Sequence, residues 1–476
     1  MKCLLGVSSS LLFAAVLAAC SDGAVTSSNA QDSVYDRVFP NPTMPQPTLD
    51  DFNGDFAKFM ANAKVLKPEI ERRQLSLLEM RYDLSNRPST SCKMSRGKPA
   101  QAGIRVKLPP GVTWQQLASM TPAAIKSADL FPAGFFPLPH VNHQEGGMVF
   151  PASTIADLKQ QTGRDLQRFD LDFDIPEHFL AEFPAAMFLS TRKDLGDVSR
   201  GQLITTENFY VLFKDILNPK QLDGMRLLLT PFAQAQFNLT TDRRSERPSL
   251  GVSCFDCHIN GSTNGAFHLV GDIRPQAMRN RIDTPALRGT NIQQIFGSQR
   301  GLESVEDFTE FEQRAAYFDG DPEAATRKGV NTLDRATQVH AMAEMIRIID
   351  FPPSNLDVFG KLDRHHASNA ELRGESLFFG KAKCASCHDG AGFTDNSMHD
   401  LQAERFFNHR MVNGQQTKDD GPIKTFSLRG IKDTPPYLHD GRLLTLEDTV
   451  EFFNLILGLR LSTAEKEDLV SYLCAL

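Results

Sequence analysis

Long apolar runs are scarce in this chain of 476 residues. Beyond Leu17 no stretch approaches the roughly 20 residues of a membrane-spanning helix, so the body of the chain is not built to cross a bilayer as helices. Basic residues are slightly outnumbered, 51 against 58 acidic, and the formal net charge is −7. No basic stripe is present, which argues against a nucleic-acid surface. Cysteine is limited to eight residues, and a zinc site on either Cys-x-x-Cys would need a second cysteine or histidine pair to close a tetrahedron. With 41% hydrophobic residues the chain can bury real cores, and its length suggests two to four domains of about 150 residues.

What is present is one short motif, twice: Cys254-Phe-Asp-Cys257-His258 and Cys384-Ala-Ser-Cys387-His388. In a Cys-x-x-Cys-His run the thiols add across the haem vinyl groups, and the adjacent histidine becomes the proximal iron ligand. A thioredoxin-like dithiol has no reason to place histidine directly after its second cysteine. The two pentads therefore imply two covalently bound haem c groups.

The first residues resemble an export signal. Lys2 precedes a short apolar stretch, Leu4 to Leu17, which ends in the lipobox-like Leu17-Ala18-Ala19-Cys20. Residues 1–19 are expected to be a lipoprotein signal peptide, with Cys20 the lipidated anchor of a periplasmic protein. Each buried acyl methylene adds about 0.8 kcal/mol, so several chains on one residue anchor stably. Ser21, in place of aspartate, favours the outer membrane. Residues 20–49, rich in Ser, Asn, Gln and Pro, read as a tether. Cys3 leaves with the signal, and four thiols go to haem. Cys92 and Cys474 remain; an oxidising compartment allows them to pair, but the sequence does not show them close.

Residues 50–219 form an N-terminal region of unclear fold, with helix-like stretches at 67–83, 154–167 and 206–216. The remainder repeats itself. Thr284-Pro-Ala-Leu-Arg-Gly289 matches Thr425-Phe-Ser-Leu-Arg-Gly430, and Leu302–Phe308 falls on Leu443–Thr449 without a gap. The offset is constant (429 − 288 = 141), whereas the pentads differ by less (384 − 254 = 130), so an insertion separates motif from Leu-Arg-Gly in the second copy. Helical segments are expected before each motif, at 221–237 and 369–379, and after each Leu-Arg-Gly, at 305–316 and 446–457. The fold class is mainly α: two tandem cytochrome c-like haem domains, 220–355 and 356–476, produced by internal duplication. His365 and His366 read as linker residues between them.

Thr434-Pro-Pro-Tyr-Leu-His-Asp-Gly-Arg442, followed by Leu446-Glu-Asp-Thr-Val-Glu-Phe452, resembles the signature of bacterial dihaem cytochrome c peroxidases and their MauG-type relatives, over about residues 220–476. The resemblance implies a first haem that meets peroxide and a second that passes it electrons, with His258 and His388 as proximal ligands. It implies a calcium ion held by Asp283 and the carbonyls of Lys424 and Phe426, and haem propionates beside Arg288, Arg429 and His439. It also implies electrons from a small periplasmic cytochrome or cupredoxin, or from a protein or organic substrate in MauG-like chemistry. The competing class is a non-catalytic dihaem electron carrier.

Departures from the pattern are as informative. The family's second haem takes Met or Tyr fourteen positions after the His439 equivalent, which here is Phe453 (439 + 14 = 453), a side chain unable to bind iron. Met411 or His409 are the alternative ligands. Family enzymes bridge their haems with tryptophan, yet Trp114 is the only one here and lies far upstream, leaving Phe296 or Tyr437 as substitutes. Glu310, Glu312 and Asp319 are candidate distal acids, and His268 is a candidate removable ligand of the first haem. His140 and His143 are spaced like a metal pair in a proline-rich loop.

Two outcomes follow from the sequence. Pyridine haemochrome and intact mass should show two covalent haems per chain; one haem, or zinc, in protein matured with a haem-ligation system would contradict the motif reading. Cys20→Ala should release a soluble form or block processing, and wild-type protein that washes off membranes in salt alone would refute the lipid anchor.

Overall fold

The computed structural model describes residues 50–53, 55–138, 147–164, 166, 174–231, 253–269, 281–297, 300–312, 335–406, 411–412, 415–416 and 421–476. The signal, the tether, His140, His143, Asp319 and His409 lie outside them. The structure is mainly helical, with a few strands of two to six residues. Among the described residues no helix is long and apolar enough to cross a membrane.

The longest helix, Phe56–Arg81, is capped by Asp55, whose carboxylate accepts from the Lys58 N–H at 3.1 Å. It starts upstream of the expected 67 because Pro68 sits inside it and not at its first turn. Three other expectations shorten in the structure: 154–167 becomes Ala152–Thr162, ended by Gly163 in the left-handed conformation, 206–216 becomes Phe209–Phe213, and 446–457 becomes Leu446–Ile456. The segment 369–379 is found as Asn369–Phe379, fixed by a capping box of Ser368 and Glu371. The helices expected at 221–237 and 305–316 are described as Pro219–Leu229 and Val305–Phe311.

Two further helices, Arg335–Ile346 and Thr463–Ala475, close the repeats. Arg335–Ile346 packs on Pro219–Leu229, and Thr463–Ala475 on Asn369–Phe379. Both crossings turn on a glycine. A Cβ at Gly224 would lie 2.0 Å from the Ala341 carbonyl oxygen, and one at Gly374 would lie 2.1 Å from that of Asp468. Arg373 pins the second crossing with two hydrogen bonds to Asp468, at 2.8 and 2.7 Å.

The 141-residue offset read in the sequence recurs in the backbone. Antiparallel bridges join Phe296 to Leu302 and Tyr437 to Leu443 (437 − 296 = 141). Ser304 caps its helix at the Asp307 N–H, and Thr445 caps its own at Asp448, each at 3.0 Å. Gly289 and Gly430 have φ of 71° and 69°, and each donates its N–H to a carbonyl just beyond a closing helix, Ile349 at 2.9 Å and Leu476 at 3.0 Å.

The N-terminal region does not keep a core to itself. Ile70, Tyr82, Val106, Phe131 and Phe135 share one apolar cluster with Phe406, Phe452 and Tyr472. The Phe131 and Phe406 rings stack with centroids 3.9 Å apart. Met187, Leu212 and Phe213 share a second cluster with Phe255 and Met345. A disulfide joins Cys92 to Cys474 with Cα atoms 5.8 Å apart, fastening the strand Pro88–Lys93 to the last helix.

Gly374→Ala should force the last crossing apart and cost about 1–3 kcal/mol, the range for overpacking a tight interior. A denaturant midpoint equal to wild type would show that the helices can separate without loss.

Candidate haem-attachment site

In the first motif, Cys254–Cys257 forms a single helical turn. Asp256, inside the pentad and 2% exposed, accepts from the Ser253 N–H at 2.7 Å and from Arg164 Nη1 at 3.0 Å. Arg164 follows the helix Ala152–Thr162, so the N-terminal region braces this loop from below. Asn264 adds bonds to the Asp256 carbonyl and to Thr154 Oγ1, at 2.9 and 3.0 Å. His258 brings Nδ1 within 2.8 Å of the Pro285 carbonyl oxygen. A carbonyl only accepts, so Nδ1 carries the proton and Nε2 is the nitrogen with the lone pair, the form an iron ligand needs. Pro285 belongs to the Thr-Pro-Ala-Leu-Arg-Gly run, which joins the two sequence motifs of the first repeat physically.

The second motif is built alike. Cys384–Ser386 makes a tight 3-10 turn, and His388 Nδ1 lies 3.0 Å from the Phe393 carbonyl oxygen. Burial lowers the His388 pKa and holds the ring neutral. All four pentad thiols are unpaired as disulfides. Burial pushes Cys254 and Cys384 up to about 12 and Cys257 well above the ordinary thiol range, with the carboxylates of Glu312 and Asp256 adding at the first loop. Thiols three residues apart on one turn, beside an imidazole whose Nδ1 faces a backbone carbonyl, suit thioether attachment and axial ligation. Among the described residues no group of three or more His, Cys, Asp or Glu side chains comes together for a metal ion.

The remaining candidates fall in distinct places. Arg288 is 3% exposed and donates to Asp433 at 2.7 Å and to the Ala186 carbonyl at 2.7 Å. Arg429 lies over the Phe351 ring, and its buried Nε has no hydrogen-bond partner. The His439 carbonyl accepts from the Asp283 N–H at 2.8 Å. Asp283 sits on the strand Arg281–Asp283 opposite Phe267, one residue from His268 on the neighbouring strand. Its Oδ1 is buried without a partner, and burial raises its pKa well above the carboxylate range. Lys424 runs antiparallel to Met398, and its ammonium lies 5.3 Å from the Phe426 ring centroid. Glu312 ends the helix Val305–Phe311 close to the first pair of thiols, with Glu310 two residues earlier. Phe453 is half-buried on Leu446–Ile456, its ring edge-on to Phe452. The backbones of His268 and Met411 lie in short strands; their side chains lie outside the description.

The structure also brings forward residues the sequence reading passed over. Arg164 was invisible as a partner of the first pentad, although the carboxylate inside that pentad was a signal that a cation would meet it. Asp440 and Arg442, within the repeat's signature, pair with each other while fully buried. Asp440 also accepts the Leu138 N–H at 2.8 Å, and Arg442 donates to the Phe135 carbonyl at 3.2 Å, so the signature grips the N-terminal region.

No family model matches the chain. A cytochrome-c peroxidase of Pseudomonas sp. (strain SCT) is 29% identical over 174 residues, 29% of this chain and 47% of that protein. The methylamine utilization protein MauG of Methylorubrum extorquens is 33% identical over 115 residues, 21% of this chain and 33% of its own. A solved MauG-like protein associated with microbial copper homeostasis is 19% identical, with a TM-score of 0.38 over 54% of this chain and 88% of that one. The chain thus spans less than half the length of the curated relatives quoted. Those relatives carry the names of cytochrome-c peroxidases and MauG, and the chain is similar to that dihaem group over a quarter or so of its length.

Proposed function

We propose that the chain is a periplasmic dihaem c-type oxidoreductase of the peroxidase kind, taking hydrogen peroxide, two electrons and two protons to two waters. The observation that carries this reading is the repeated Cys-x-x-Cys turn with a histidine whose Nδ1–H is held by a backbone carbonyl. When bound, a c-type haem supplies an iron that accepts a peroxide oxygen and exchanges electrons at a potential its surroundings set. Everything else falls to the chain. His258 and His388 would hold the irons, their rings oriented through the carbonyls of Pro285 and Phe393. Glu310, Glu312 and Asp319 are the candidate carboxylates that would carry a proton from the inner to the leaving peroxide oxygen. Arg429, with its unpartnered Nε, together with Arg288 and His439, would neighbour the propionates. Asp283, with its unpartnered Oδ1, and the carbonyls of Lys424 and Phe426 are the oxygen donors for one calcium ion.

In this reading electrons enter from a small periplasmic cytochrome or cupredoxin, or from an oxidisable protein or organic substrate in a MauG-like role. The lipid on Cys20 keeps the enzyme at the membrane. Phe453 leaves the second iron to Met411 or His409, and the first iron is the open one, with His268 as its removable ligand.

Cyanide binding tests the proposal. One haem should bind cyanide rapidly, and its high-spin signal should survive both His388→Ala and Phe453→Met. If no iron takes up cyanide, the protein is the non-catalytic electron carrier and the peroxidase reading fails. If His388→Ala removes the signal, or Phe453→Met converts it to low spin, the open iron belongs to the second haem.

A further inference from the structure

The segment 147–164 of the N-terminal region is built onto the first Cys-x-x-Cys-His loop. Its strand, Gly147–Val149, runs antiparallel to Phe267–Leu269, which follows the motif. Phe150 and Leu158 share an apolar cluster with Cys257, Ile259 and Ala266. The buried Thr154 hydroxyl accepts from the Asn264 amide at 3.0 Å, and the same amide donates to the Asp256 carbonyl at 2.9 Å. Gly163, at φ 70°, ends the helix Ala152–Thr162 and turns the chain, and Arg164 meets the Asp256 carboxylate. Nη1 lies 3.0 Å from Oδ1, and Nη2 reaches Oδ2. The carboxylate is 2% exposed and the guanidinium 11% exposed, so the contact is bidentate and shielded from water.

Asp256 sits between the two thiols of its pentad, two residues before His258. At the matching position (256 + 130 = 386) the second motif carries Ser386, which is exposed and donates to the Lys383 carbonyl at 2.6 Å. A buried carboxylate is therefore particular to the first loop, and its counter-charge comes from the N-terminal region. We propose that Arg164 is a positioning residue of the first haem site, which holds Asp256 in place, neutralises it and thereby fixes the reduction potential of that haem. The proposal rests on the dihaem reading above. A haem gains positive charge on oxidation, and in a water-poor surround a nearby charge acts on it with little screening. A bare carboxylate favours the oxidised state, and a bare guanidinium favours the reduced one. Together they nearly cancel.

The test is a spectroelectrochemical titration of both haems in full-length protein, after pyridine haemochrome has established two haems per chain. Arg164→Gln should lower one of the two potentials. Asp256→Asn, which keeps an oxygen for the Ser253 N–H, should raise the same one. Combining the two substitutions should bring that potential back toward wild type, and Arg164→Lys, which keeps the charge, should shift it less than Arg164→Gln. The moved potential should persist in His388→Ala, which marks it as that of the first haem. The control Arg72→Gln, at a side chain 69% exposed, should move neither. A loop that is merely loosened would shift with one sign in both single variants. Shifts of one sign, unchanged potentials in folded variants with two haems, or a shift at the second haem overturn the proposal. Should Arg164→Gln not fold, Asp256→Asn carries the test, and it overturns the proposal unless the potential rises. Fewer than two haems in wild type overturns the dihaem reading, separately from this one.

Discussion

Asp433 is the point at which the three parts of the molecule meet. From the second repeat its carboxylate accepts from Arg288 of the first repeat at 2.7 Å, and from the Ser95 N–H of the N-terminal region at 2.9 Å. It is 5% exposed and Arg288 is 3% exposed, so neither charge can turn to water. A buried pair of this kind adds little over an apolar substitute, but removing one member strands the other at a cost of about 3–5 kcal/mol. The arrangement therefore specifies a geometry more than it stabilises one. The Leu-Arg-Gly turn of the first half, the turn after Leu-Arg-Gly of the second, and residues 94–98 are fixed in a single relation.

That relation explains why the N-terminal region resisted reading while the repeats did not. A repeat carries its own redundancy: Thr-x-x-Leu-Arg-Gly appears twice, and each copy needs a glycine at positive φ because the backbone there turns to reach a carbonyl past the closing helix. The segment Asn369–Phe379 was legible to the residue because Ser368 and Glu371 form a capping box at its start. Residues 70–138, by contrast, complete their core with Phe406, Phe452 and Tyr472, more than 260 positions along the chain (406 − 138 = 268). No local pattern announces a partner at that distance.

The closing helices were missed for a related reason. Thr463–Ala475 packs against Asn369–Phe379, Leu446–Ile456 and the strand Pro88–Lys93. Its buried residues, Asp468, Leu469, Tyr472 and Leu473, include a charge that is satisfied by Arg373, so no single apolar stripe marks it. At the site itself, both Cys-x-x-Cys-His motifs were legible because the chemistry they resemble demands fixed spacing. The carbonyls of Pro285 and Phe393 that set the imidazole tautomers, and the Arg164 clamp on Asp256, depend on backbone paths that spacing does not encode.

The bond between Cys92 and Cys474 bears on how the molecule can be made. The two partners are 382 positions apart, so this link closes over both Cys-x-x-Cys-His motifs. Between the two lie the four pentad thiols, and six free thiols admit 15 complete pairings. In the proposed haem reading, with the pentad thiols committed to the cofactor, one pairing of these six is left. Cofactor attachment then acts as a proofreading step for oxidation, and a chain oxidised first risks capture in a scrambled form. In the haem reading proposed above, the favoured order of biogenesis is haem before disulfide.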